Sequence, residues 1–136
     1  MTDAAKSIYY FSIYLFVVGL TLVFMPNIFL TTLQMPETNE VWIRVVGLLA
    51  FVIGFYYNRA GATNLQSFFG LTIPARVIVF ISFVLFALMK WVSPIIIGIG
   101  VIDLAGALWT WMAMKKNNSL ISKSYSVNQA NQNLKL

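Results

Sequence analysis

Residues 8–25 read IYYFSIYLFVVGLTLVFM, eighteen consecutive positions without a charge. At about 1.5 Å of rise per residue, a helix over this stretch is roughly 27 Å long, close to the hydrocarbon thickness of a bilayer. A cleaved signal peptide is the competing reading, since Lys6 stands just before the run. Such a peptide has an apolar region of about 7–15 residues and ends at a small-residue cleavage site, whereas Met25-Pro26-Asn27 follows here. The stretch is therefore read as a retained membrane span.

Three further spans follow. One covers about 39–59, with Thr38 or Asn39 as N-cap and Glu40 in the first turn, where the helix macrodipole favours negative charge. Another covers about 73–91, with Pro74 in its first turn. Only thirteen uncharged residues separate Arg76 from Lys90, so this span needs both cations at its interfaces, their stems snorkelling outward. The last covers 94–115, opened by Ser93 as N-cap and Pro94, with Asp103 as its only charge before Lys115. In the 26–38 connection, Ile28, Phe29, Leu30 and Leu33 suit a short helix in the interface plane, and Phe68-Phe69 suit an anchor for the 60–71 loop. Residues 117–136 are rich in Asn, Gln, Ser and Lys and read as a flexible polar tail. The division is thus a transmembrane domain over 1–116 and a cytoplasmic tail over 117–136.

Composition agrees with lipid as the solvent. Of 136 residues 60% are hydrophobic and 10% charged, against roughly 25% charged in an ordinary soluble domain. Cysteine and histidine are absent, which excludes disulfides, thiolate nucleophiles, cysteine-ligated clusters and imidazole metal ligands. Only Asp3, Glu37, Glu40 and Asp103 are acidic, no nucleophile or phosphate-binding motif occurs, and no enzyme, cofactor or metal site is expected. With the N-terminus in the cytoplasm, Lys6, Arg59, Arg76, Lys115, Lys116, Lys123 and Lys135 lie inside and Arg44 and Lys90 outside. The positive-inside rule then gives an all-α, polytopic four-helix bundle with both termini cytoplasmic. The net charge of +5 is explained by that topology and calls for no nucleic-acid partner.

Glu40, Arg44, Gly47, Phe51, Gly54 and Asn58 recur at steps of three and four and share one face of the second span. Gly47 and Gly54 permit close backbone approach, so this face is expected against another helix. Ile99, Asp103, Gly106 and Thr110 form a second small and polar stripe on the fourth span, expected to face the first. Arg44 is about 7 Å and Asp103 about 13 Å below one surface, within reach of an extended arginine, so an Arg44–Asp103 pair is expected, with Glu40 and Lys90 completing a neutral cluster in the outer leaflet. Such a cluster either lines a small ligand cavity or fixes helix register. Beside Trp91, Lys90 also reads as an interface anchor, and Tyr9-Tyr10 and Tyr56-Tyr57 read as aromatic-belt residues.

This order of features resembles the DoxX-like group of small bacterial four-helix membrane proteins. The resemblance rests on the long first span, a Pro-containing outer loop, Glu40-Val-Trp-Ile-Arg44-Val-Val-Gly47 opening the second span, Arg76 near the start of the third and one acid in the fourth. It covers residues 6–116, implies a bacterial inner-membrane location, and through some members implies an accessory role in quinone-linked systems. No catalytic residue carries over from it. Small multidrug transporters are the other four-helix comparison, but they hold their coupling acid in the first span, which has none here. The expected function is a non-enzymatic accessory or small-molecule, lipid or quinone-binding module; the alternative is a small-molecule or proton-coupled transporter using Asp103. Expected partners are membrane lipids and either further copies of the chain or a larger membrane complex.

Overall fold

The structure is a computed structural model describing all of residues 1–136, and it is entirely helical. Five helices follow in order: α1 Asp3–Phe24, α2 Pro26–Thr32, α3 Trp42–Ala62, α4 Gln66–Leu88 and α5 Ile96–Leu134. All but α2 are long and apolar enough to cross a membrane. The N-terminus, the α3–α4 turn and the end of α5 lie on one side of the bundle, here the terminal side. The α1–α3 connection and the α4–α5 turn lie on the other.

The tightest packing is between α1 and α3. On α1, Ala5, Ile8, Ser12, Gly19 and Leu22 are buried along one stripe at helical spacing, with Leu15 between them. On α3, Gly47 and Gly54 face that stripe. A Cβ at Gly19 would lie 2.8 Å from the Gly47 carbonyl oxygen, and one at Gly47 would lie 2.8 Å from the Gly19 carbonyl oxygen. Where the backbones come this close only glycine fits, which is how helices gain contact in lipid without a hydrophobic driving force. Phe16 and Phe51 pack beside them, and Asn58 donates to Ser12 Oγ at 3.3 Å. The glycine stripe of α3 therefore finds α1, not α5, and α3 has little contact with α5. Instead α5 packs on α4 and, through a 2.9 Å hydrogen bond between the buried Ser7 and Thr110 hydroxyls, on α1.

Several boundaries differ from the sequence reading. Glu40 precedes α3, which begins at Trp42, and its amide donates to Thr38 Oγ1. Helix α4 starts at Gln66, eight residues before Pro74, so the proline lies inside the helix and Phe69 is fully buried rather than a loop anchor. Neighbouring helices and side chains make an internal proline tolerable in a membrane helix. Ser93 and Pro94 form a turn leading into α5, whose first helical residue is Ile96. Residues expected as a flexible tail continue α5 without a break to Leu134. A helix already nucleated in the membrane propagates at little cost; its residues beyond Asn117 are all exposed. The helix ends at Gln34, Asn64 and Lys90 share one device, a residue in the left-handed region followed by an amide bonded to the carbonyl five residues back. None of the three is glycine, so these stops carry no strong sequence signal.

The packing yields a sharp contrast among glycines. Gly47→Ala should lower stability in detergent by about 1–3 kcal/mol, because its methyl group has no space to enter. Gly98→Ala, where a Cβ meets nothing within 4 Å, should be neutral or gain about 0.5–1 kcal/mol from reduced backbone freedom. Thermal or denaturant unfolding of both variants checks this; equal loss in both would contradict the α1–α3 interface.

Candidate functional site

Between Arg59 and Lys90 the chain carries one charge, Arg76, and α4 places it near mid-helix. About ten residues of helix lie on either side, roughly 15 Å each way. Arg76 is therefore not an interface residue, as the sequence spacing suggested, but a central one, 2% exposed. Its guanidinium stacks on the Phe11 ring, with Cζ 3.7 Å from the ring centroid, and lies 5.2 Å from that of Tyr57. Nη1 presses on Gly106, where a Cβ would come within 2.7 Å. Phe11 thus covers one side of the cation, a contact worth about 0.5–2 kcal/mol, and Tyr57 lies beside Phe11 with the two ring centroids 5.5 Å apart. Nε, Nη1 and Nη2 are all buried and none makes a hydrogen bond of good geometry within the protein, the Tyr57 side chain being close enough to interact with the charge.

Asp103 is buried on α5 and lines the same cavity. It is within electrostatic range of Arg76, yet the two make no ion pair within 4.0 Å. The chain's two ion pairs both involve Asp3 on the terminal side, with Lys6 at 3.6 Å and Lys116 at 3.7 Å, and are exposed. Exposed pairs of this kind contribute little.

The cavity has a volume of about 450 Å³. Its floor comes from α1 (Phe11, Leu15) and α5 (Asp103), and its walls from α3 (Ala50, Tyr57) and α4 (Arg76). Helices α3 and α4 scarcely touch although they are neighbours in sequence, so the cleft opens sideways between them. At its mouth Val46, Leu49 and Ile53 are about half exposed. Ten of its twelve lining residues are hydrophobic, and the polar exceptions are Arg76 and Asp103.

The expected outer-leaflet cluster does not assemble. Arg44 donates from Nη1 to the Val23 carbonyl at the end of α1 and, with Glu40, lines a separate depression near Asn27 and Thr38. Lys90 is exposed in the α4–α5 turn. The cause is the helix pairing: α3 lies on α1, so its charged end meets the C-terminal carbonyls of α1, where a cation is favoured, and not α5. Of the glycines and amide singled out in the sequence, Gly47, Gly54 and Asn58 lie against α1, and Gly106 seats Arg76. Arg76, Tyr57 and Phe11 were not singled out as site residues. A lone charge midway in a thirty-residue uncharged stretch was the signal for Arg76, and Pro74 obscured it. Compared with protein-family models, characterised proteins and solved structures, the chain finds no match.

A guanidinium cannot shed its charge, and burying it without hydrogen-bonded compensation costs several kcal/mol. Arg76→Met or Asp103→Asn alone should leave the remaining charge uncompensated and lower stability in detergent, by about 2–3 kcal/mol, less than the about 3–5 kcal/mol of directly bonded pairs. The double variant Arg76→Met with Asp103→Asn should equal or exceed the parent protein. A double-mutant cycle measures this; simple additivity would show that the two charges do not interact.

Proposed function

We propose that this protein is a non-enzymatic intramembrane binding module, holding a lipophilic molecule in the cleft between α3 and α4. The observation that carries the reading is the cavity lining: ten hydrophobic residues with one cation, Arg76, and one acid, Asp103, both buried in its wall. Natural proteins keep a destabilising buried charge where function needs it, and sites for small molecules combine an apolar lining with a few placed polar groups. Because the mouth faces the lipid-exposed side of two spanning helices, the ligand arrives dissolved in the membrane.

The same proposal includes orientation and setting. With Arg76 inside the bundle, Lys6, Arg59, Lys115, Lys116, Lys123 and Lys135 lie toward the terminal side and Arg44 and Lys90 toward the other. Six cations against two favour a cytoplasmic terminal side, and the order of features over residues 6–116 favours a DoxX-like accessory protein of the bacterial inner membrane.

Native mass spectrometry of the protein extracted gently from its own membranes tests the reading. One lipophile per chain should be retained by the parent protein and lost from the Arg76→Met, Asp103→Asn double variant, which keeps its fold. Equal lipid retention by both would overturn it.

A further inference from the structure

On the side of the bundle opposite the termini the charged groups are Glu37, Glu40, Arg44 and Lys90. Of these, Glu40 and Arg44 alone line the depression of about 280 Å³ where α1 ends, α2 begins and α3 starts. They share it without pairing. A spacing of four brings two side chains together along a helix, but Glu40 lies ahead of Trp42, the first residue of α3, and no ion pair within 4.0 Å forms. The depression is thus neutral overall, and its positive and negative groups are both open to a partner.

Its polar wall is held in place. The Asn27 side-chain oxygen accepts from the Thr38 amide at 2.9 Å, and Thr38 Oγ1 accepts from the Glu40 amide at 3.1 Å, which fastens the loop before α3 to the start of α2. The Asn27 side-chain N–H groups and the Thr38 O–H make no further bond within the protein. Arg44 donates one N–H to the Val23 carbonyl, and its others have no acceptor within the protein. Donors from Asn27, Thr38 and Arg44 therefore meet a single acid, Glu40. The rim is apolar: Phe24, Met25 and Ile28 are exposed there, and Trp42 is exposed at the start of α3.

An apolar rim around a polar centre, at the level where two spanning helices end, matches the boundary between acyl chains and headgroups. The charges then select the headgroup. A phosphate accepts from several donors at once, arginine above all, and a primary ammonium offers its N–H groups to a carboxylate. A quaternary ammonium has no N–H and is held by cages of aromatic faces, whereas Phe24 is the one aromatic residue lining this depression. A headgroup that carries the phosphate charge alone leaves Glu40 facing an anion.

We infer that this depression, which shares no lining residue with the cleft between α3 and α4, holds the headgroup of an ethanolamine phospholipid. The phosphate sits on Arg44, Asn27 and Thr38, the primary ammonium on Glu40, and the acyl chains leave over Phe24 and Met25 into the bilayer. The bound head matches both charges of the site, brings in no net charge, and clips the corner between α1 and α2 to the start of α3.

The test uses the full chain in detergent with an equimolar mixture of dioleoyl phosphatidylethanolamine, phosphatidylcholine and phosphatidylglycerol, bound lipid being counted by native mass spectrometry. The parent protein should retain the ethanolamine lipid about three- to fivefold more than either of the others, the scale of one solvent-accessible ion pair. Glu40→Gln, at an exposed position outside the helices, keeps the fold and should erase the preference over the choline lipid; Glu40→Lys should turn it toward the glycerol lipid. Dioleoylglycerol, which has the same tails and no phosphate, should be retained by the parent at least about threefold less than the ethanolamine lipid, and Arg44→Gln should remove that difference. The comparison in the parent decides the phosphate assignment alone if Arg44→Gln does not fold. Equal retention of the three phospholipids, or a preference that survives Glu40→Gln, would overturn the ammonium assignment. Dioleoylglycerol held as well as the phospholipids would overturn the headgroup site altogether. Displacement of the lipid by an equal concentration of soluble phosphoethanolamine would overturn its assignment to a lipid.

Discussion

A permanent positive charge at the centre of a four-helix bundle, stacked on an aromatic ring but without a hydrogen bond of good geometry in the protein, is the constraint on which the rest of this structure turns. Lysine or histidine at that depth could lose a proton; arginine cannot. Phe11 and Tyr57 offset part of the cost through their ring faces, Gly106 makes room for Nη1, and Asp103 supplies an opposite charge without direct contact. A bundle under selection for stability alone would place a leucine there. The arrangement instead keeps a buried charge beside a cleft, at the expense of stability.

That cleft is a consequence of unequal helix packing. Gly19 and Gly47 bring α1 and α3 into backbone contact, and the Ser7–Thr110 hydrogen bond ties α5 to α1. With α4 held by α5, the helices are arranged α3–α1–α5–α4, and the sequence neighbours α3 and α4 stand at the two edges of an open ring. The residues that zip the closed side are small; those lining the open side, such as Leu49, Ile53 and Val79, are of a size to meet lipid or a lipophile. Strong packing on one flank thus makes possible weak packing on the other.

Much of the fold was legible because lipid imposes a simple rule: about twenty apolar residues per helix. The four spans followed from it. The stripe on α3 is also visible in the sequence, but its partner is not, since α1 carries a matching run of small residues at Ala5, Ser12 and Gly19 hidden among aromatics and aliphatics. The site was less legible. Pro74 resembled a helix start, which moved Arg76 to the interface, while Arg44 and Asp103 stood at similar depths on two helices that pack elsewhere. Depth alone cannot say which faces meet. The helical continuation of α5 past Asn117 was equally hidden, because composition reports a segment's own propensity and not the nucleus that precedes it.

The central claim is that the wall beside Arg76 is reached from lipid and not from water. The chain contains no cysteine, so Val79→Cys, one turn from Arg76 on the cavity wall, accepts a single nitroxide spin label. Power-saturation electron paramagnetic resonance in a bilayer then compares collisions with oxygen, which concentrates in lipid, and with a water-soluble nickel chelate. Collisions dominated by oxygen, as at the bilayer centre, are predicted; collisions dominated by the nickel chelate would reveal an aqueous pathway and contradict the account.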